Sequence, residues 1–402
     1  MIDLFPDPSP AARRKLVVEN IGLLLSGRLE QPILDADTIV AVDGTITAVG
    51  RRADCDAEDA DIVVDARGTT VCPGLIDGHT HPTLGEHSPR TDNHAWIGHC
   101  LHGGTTTMIS AGEVHVAGRP TDRIGVKALA IAAQRSFAAA RPSGVKMIAG
   151  APLLEAGLLE EDFREMAEAG VELVGEVGIG SVADTETART MVGWARANGM
   201  RSLTHTGGPS IPGSRLLAAE EILAIDPDVI GHINGGHTAF AHSEIRCLCE
   251  GCSRAIEIVH NGNAFAALYA LRTATEMGQL ERIVLGTDAP SGAGVPALGM
   301  LRLVAMLSSF GELPAEQVFC FATGNTARVH GLGQGIVAPD RPADLVIMDR
   351  AQGTAGRTLL HSVALGDLPG IGMVLIDGIP VLRPSRNTPP AITLPTARRR
   401  LV

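Results

Sequence analysis

Eight short runs of apolar and small residues recur between positions 71 and 333, and helix-forming stretches separate each run from the next. The runs are VCPGLIDGHTH, TTTMISAG, VKMIAGAPLL, VELVGEVGIG, RSLTHTGG, DVIGHINGG, AIEIVHNGN and IVLGTDAPSG. Between them lie segments such as RIGVKALAIAAQRSFAAA and TARTMVGWARANGM, rich in Ala, Leu, Met and Arg, which lose little side-chain freedom in a helix. Strands alternating with helices require crossover connections and therefore a parallel sheet. Eight such units predict an α/β fold, a closed (β/α)8 TIM barrel over 71–333. A doubly wound open sheet is the competing architecture. It would carry a Gly-rich phosphate fingerprint in its first strand–helix turn, and the sequence has none there.

The two ends of the chain read differently. KLVVENIGLLLSG, DTIVAVDGTITAVG and ADIVVDARGTTV near the start, and ADLVIMD and MVLIDGIPVL near the end, are short β-runs. Asp43-Gly44 and Asp377-Gly378 sit between apolar runs as hairpin turns. The segments 1–70 and 334–402 are therefore expected to combine into one small β-sandwich domain beside the barrel.

Composition bounds the function. With 45% hydrophobic and 19% charged residues the chain has ample material for a large core. A formal net charge of −12 repels phosphate backbones, so nucleic acid is not an expected partner. No apolar run approaches the ~18 residues of a spanning helix, so no membrane partner is expected. The start, MIDLFPDPSPAARRKL, lacks the pattern of a secretory signal, and seven scattered cysteines suit a reducing compartment; a cytoplasmic location is expected. Cys247, Cys249 and Cys252 form a CxCxxC without a second half, and read as ordinary thiols in a helix between two strands. GGPSIPGS reads as an active-site loop, ARRRLV as a solvated tail, and Glu155, Glu160 and Glu161 as an exposed helix start.

Chemistry concentrates at the strand ends. The first run ends in Asp77-Gly78-His79-Thr80-His81, and residues two apart on a strand share a face, so His79 and His81 can point together. Imidazole suits zinc, iron, nickel or cobalt. Glu176, His205, His232 and Asp288 lie at the ends of the fourth, fifth, sixth and eighth runs, on the face where barrel sites assemble. Closing the eighth strand on the first would set Asp288 beside His79 and His81. Four histidines and two carboxylates exceed the needs of one structural ion. Two ions, bridged by a carboxylate and a hydroxide, would use all six.

GLIDGHTHP, THTGG, GHINGG and GTDAPSG, in this order, resemble the metal-dependent amidohydrolase superfamily. The resemblance runs nearly end to end, through DADTIV, LHGGTTTMISAG, GRPTD, ATGNTARVHGL, ADLVIMD and SRNTPPA, and points to members that open cyclic amides. It implies that His79, His81 and Asp288 hold a first divalent ion, that His205 and His232 hold a second, and that Glu176 bridges them, with zinc or zinc plus iron as the metals. Many relatives bridge with a carboxylated lysine instead. The only lysines here are Lys15, Lys127 and Lys146, none of them on the fourth strand, which leaves Lys146 as the other candidate. The implied reaction is attack of a metal-bridging hydroxide on a lactam carbonyl, with Asp288 as proton shuttle. The implied substrate is a six-membered enamide carrying a carboxylate, whose ring opening could end in release of ammonia, and the implied assembly is a homotetramer.

An anionic substrate entering a chain of charge −12 needs local donors. His237, His260, Arg119 and Ser291 are the foremost candidates, with Arg90, Arg123, Arg215 and His115 behind them. Two rivals stand beside the main reading. One is a single-metal deaminase or deacetylase of the same superfamily. The other is a non-catalytic scaffold barrel, which would be expected to have lost ligands.

Overall fold

A computed structural model describes residues 14–85, 93–113, 116, 118–209, 214–236, 238–290 and 294–399. Eight parallel strands run through its middle: β1 (Leu75–Thr80), β2 (Thr105–Ser110), β3 (Lys146–Ile148), β4 (Leu173–Val177), β5 (Arg201–Thr204), β6 (Val229–Ile230), β7 (Ala255–Val259) and β8 (Ile283–Gly286). Each falls inside one of the eight runs. The spatial order follows the chain, with β1–β2–β3 in one sheet and β4 to β8 in a second. Backbone bonds tie the sheets together: Gly175 N–H donates to Pro152 O and Glu176 N–H to Ala111 O, both at 2.9 Å. On the other side β8 returns to β1, where Asp288 N–H donates to His79 O at 2.9 Å and His81 N–H to Ala289 O at 2.8 Å. One apolar cluster joins Leu203, Val229, Ala255 and Val284 to Ala111 beside β2, so both sheets face a shared interior.

The connecting helices are built as their sequences suggest. Arg123–Ala139 buries Val126, Ala130, Ala133 and Phe137, the stripe that 3.6 residues per turn places on one face. Asp122 caps it by accepting the Ile124 and Gly125 N–H groups. Thr185–Ala197 repeats the device, with Asp184 as cap and Ala188, Met191, Val192 and Ala195 buried. Cys247 and Cys249 lie on the helix His242–Gly251 and Cys252 follows it, all three as free thiols. Among the described residues no helix is long and apolar enough to cross a membrane.

Strands from both ends of the chain share two further sheets. One orders Thr396–Arg399, Ile62–Asp65, Lys15–Glu19, Thr38–Val42 and Thr45–Gly50; the other orders Ile379–Leu382, Gly370–Ile376, Leu345–Asp349, Thr70–Pro73, Leu23–Leu25 and Ile33–Leu34. Leu16, Val18, Ile39 and Val64 of the first pack on Val71, Leu345, Ile347 and Leu375 of the second. Asp43-Gly44 and Asp377-Gly378 are both tight hairpin turns with two successive positive φ angles, 49° and 82° in one and 49° and 71° in the other. That is the primed turn that matches strand twist, and Asp-Gly tolerates it best.

One run divides where a single strand was expected. Thr70–Pro73 pairs antiparallel with Leu345–Asp349, while β1 starts at Leu75. Gly74 is the switch, donating its N–H to Asp344 O at 2.8 Å; a Cβ there would sit 2.1 Å from Thr106 Oγ1.

Lys146 also belongs to this junction. Its Nζ donates at 2.7 Å to both Asp344 and Asp377, fastening the start of β3 to the C-terminal sheet. The Asp344 side chain is only 1% exposed, so removing its cation would strand a buried carboxylate. Lys146→Met is therefore expected to lower unfolding free energy by about 3 kcal/mol in urea titrations.

Candidate metal centre

The strand ends bring His79, His81, Glu176, His205, His232 and Asp288 together. On β1 the period of two sends Asp77, His79 and His81 to one side. Asp77 stitches β1 to β8 by accepting the Thr287 N–H at 2.7 Å and its hydroxyl at 2.5 Å. Burial pushes the Asp77 carboxyl up to about 7 despite those bonds. Close approach of the two strands requires glycine: a Cβ on Gly286 would lie 2.6 Å from the His79 Cβ. Two of the site residues, His232 and Asp288, have positive φ angles of 25° and 59°. Such backbone costs roughly 1–3 kcal/mol per residue and persists where surroundings fix it.

Glu176 is the hub. Its Oε1 lies 2.5 Å from His232 Nε2, 3.1 Å from His205 Nδ1 and 3.8 Å from His79 Nε2, while Oε2 lies 3.7 Å from His81 Nε2. Asp288 Oδ1 sits 3.2 Å from His81 Nε2 and 3.8 Å from His79 Nε2. The outer nitrogens of three rings face oxygen acceptors: His79 Nδ1 meets Glu257 Oε2 at 2.6 Å, His81 Nδ1 meets Gly112 O at 3.0 Å, and His205 Nε2 meets Gly208 O at 3.2 Å. A carbonyl or carboxylate only accepts, so each outer nitrogen carries a hydrogen, and each inner nitrogen can offer its lone pair to the centre once a metal displaces the proton it shares with Glu176 or Asp288.

The electrostatics are those of a site built for cations. Burial alone would lower the His79 imidazole, but the Glu257, Glu176 and Asp288 carboxylates reverse this and raise it to about 10. Burial would likewise raise Glu176, yet hydrogen bonds from His205 and His232 hold it well below the ordinary carboxylate range. Asp288 is lowered as well, against its burial, by the hydrogen bond from His81 and the charge of His79. A divalent ion fits this set. Ligand atoms of His79, His81 and Asp288 lie within 4.8 Å of one another, as do those of His79, Glu176 and His232. The buried His79 Nε2 makes no hydrogen bond, as a nitrogen reserved for a metal would not.

The sequence candidates around the rim fare differently. Arg119 pairs with Glu155 at 2.7 Å, and Glu155 also accepts the Ser181 N–H at 3.0 Å. Glu155 is thus a buried clamp between loops, which corrects its reading as an exposed helix start; the apolar loop before it conceals the burial. Arg123 pairs with Asp162 at 2.6 Å and Arg215 with Glu221 at 3.3 Å. His260 is half-buried, its Nδ1 3.0 Å from Asn261 Oδ1. Lys146 lies at the opposite end of its strand, held by Asp344 and Asp377, which removes it as a bridging candidate. Arg90, His115, His237 and Ser291 lie outside the described residues. Sequence reasoning missed Glu257 and Asp77. The one signal for them was a charged residue inside each of two otherwise apolar strands, AIEIV and LIDGHT.

The chain belongs to the amidohydrolase family; it is a hydrolase acting on C–N bonds. The Amidohydrolase family signature matches residues 252–379, from β7 into the C-terminal sheet. Over 378 residues the chain is 48% identical to enamidase from Eubacterium barkeri, covering 94% of this chain and 98% of that protein. The crystal structure of enamidase matches with a TM-score of 0.92 at 46% identity, covering 96% of this chain and all of that one. Adenine deaminase from Deinococcus deserti is 28% identical over 360 residues, 84% of this chain and 59% of that protein.

Metal loading requires a neutral inner nitrogen on every histidine, so it must displace the proton that the carboxylates hold on His79. Because that imidazole is raised from 6.5 to about 10, metal affinity should increase with pH across this interval. Chelator competition at several pH values checks this; affinity that is flat or falls with rising pH contradicts it.

Proposed function

We propose that the chain is a dinuclear hydrolase that opens a cyclic amide in the manner of an enamidase. The observation that carries the reading is Glu176, one carboxylate with an oxygen toward His81 and an oxygen toward His205 and His232. His79, His81 and Asp288 would hold one divalent ion, and His205 and His232 the other, with Glu176 between them. Zinc, or zinc with iron, suits this imidazole and carboxylate set. When bound, the ions would supply an activated water near neutral pH and polarisation of the amide carbonyl. The likeness to adenine deaminase would favour a deaminase; a single-metal one would leave the second half of this arrangement without a purpose.

The chain's own residues divide the remaining work. The Asp288 side chain keeps 14% exposure against 4% for Glu176, so it is the carboxylate that reaches the open side. It can accept a proton from the attacking water and return it to the leaving amide nitrogen. Ring opening of an enamide gives an enamine, which tautomerises to an imine and takes up water to yield an aldehyde and ammonia. His260 and Arg119, the latter held in place by Glu155, are the described candidates for the carboxylate of the substrate, joined by His237 and Ser291.

The same reading covers the architecture. The eight parallel strands would close as a (β/α)8 barrel over 71–333, with 1–70 and 334–402 as the composite β-sandwich domain, in a cytoplasmic homotetramer. The similarity to enamidase supports the barrel.

The direct test is ammonia release from 1,4,5,6-tetrahydro-6-oxonicotinate by metal-reconstituted protein. Release supports the assignment; none, from protein holding two ions, moves the substrate to other lactams and cyclic imides. Asp288→Ala is expected to abolish turnover by removing proton transfer, a loss of at least the ~100-fold usual for a general acid–base. Steady-state assays that find activity retained would contradict the shuttle.

A further inference from the structure

We propose that Glu257 is a positioning residue that couples the two halves of the metal centre through a single carboxylate oxygen. The inference rests on the dinuclear reading and extends it to a residue that touches neither ion.

Glu257 sits in the middle of β7, in the sequence AIEIV, and is 1% exposed. Its Oε2 lies 2.6 Å from His79 Nδ1 and accepts the backbone N–H of His232 at 3.1 Å. His79 belongs to the first ligand set and His232 to the second. One oxygen therefore receives a hydrogen from each. Its main-chain carbonyl adds a third bond, accepting the Ile233 N–H at 2.8 Å.

The local backbone explains why such a brace is needed. β6 is only two residues long, and the chain leaves its ladder at Gly231, just before His232. His232 then adopts a φ of 25°, which a β-strand would not hold in place. Glu257 grips the segment 232–233 from the neighbouring strand with both side chain and main chain. Gly78 leaves room for the carboxylate, since a Cβ there would lie 3.3 Å from Glu257 Oε1.

The acceptor is also different in kind from its neighbours. His81 and His205 each donate to a neutral backbone carbonyl, of Gly112 and Gly208. Of these three outer nitrogens only that of His79 faces a carboxylate, and a charge-assisted bond is about twice as strong as a neutral one. It fixes the ring, selects the tautomer with hydrogen on Nδ1, and makes Nε2 a stronger donor to a metal. Losing it should disturb both ions, because the same oxygen also places His232.

The test compares wild type with Glu257→Gln, which keeps the shape and removes the charge. Metal affinities are read by chelator competition, and geometry by the visible spectrum of the cobalt-substituted protein. The expected result is a 10–100-fold loss of affinity at both sites together, with a changed cobalt spectrum. Two ions bound to Glu257→Gln with unchanged affinity and spectrum would overturn the coupling while leaving the dinuclear reading intact, as would a loss confined to one site. A wild-type protein that saturates at one ion would overturn both. Should Glu257→Gln fold poorly, proton NMR of the wild type still decides: the His79 Nδ1 hydrogen, assigned by its absence in His79→Asn, should resonate far downfield. Its absence from that region of the wild-type spectrum would overturn the proposal.

Discussion

A buried carboxylate surrounded by imidazoles organises this protein. Glu176 is nearly sealed from solvent, and four histidines from three different strands point their ring nitrogens at it or at Asp288 beside it. A lone buried carboxylate would be strongly disfavoured, and here the surrounding rings hold it ionised. The arrangement exists only if β1, β4, β5, β6 and β8 end at one level. Those parallel strands and their crossover helices are therefore the means by which residues far apart in sequence are delivered to one point.

Delivery depends on small residues as much as on ligands. Gly286 lets β8 approach His79, and Gly78 leaves space beneath it for Glu257. At Gly74 the chain passes from the antiparallel sheet to β1 without a gap in hydrogen bonding, because its N–H is taken by Asp344. Asp344 in turn pairs with Lys146, so the same carboxylate-bearing residue joins the C-terminal sheet to the foot of β3. The β-rich ends of the chain are thus anchored to the strands that carry the centre.

Much of this is legible in the amino-acid sequence. Eight runs of apolar or small residues mark eight strands, and two Asp-Gly pairs mark two hairpins, because strand burial and turn geometry leave local traces in sequence. His79, His81, Glu176, His205, His232 and Asp288 stand out because polar residues at successive strand ends have few other uses. What stays hidden depends on partners distant in the chain. Nothing local says that Lys146 meets Asp344, or that Glu155 is buried under Arg119. Glu257 is concealed for a related reason: it sits mid-strand, where alternation predicts either a core or a helix-facing residue, and its partners lie 178 and 25 residues away.

On the proposed reading Glu176 stands between two metal ions. An anomalous diffraction map of crystals grown with metal, recorded at the absorption edge, tests it most directly. Two peaks are expected to flank Glu176, one against His79, His81 and Asp288 and one against His205 and His232. A single peak, or a second one away from Glu176, would contradict it.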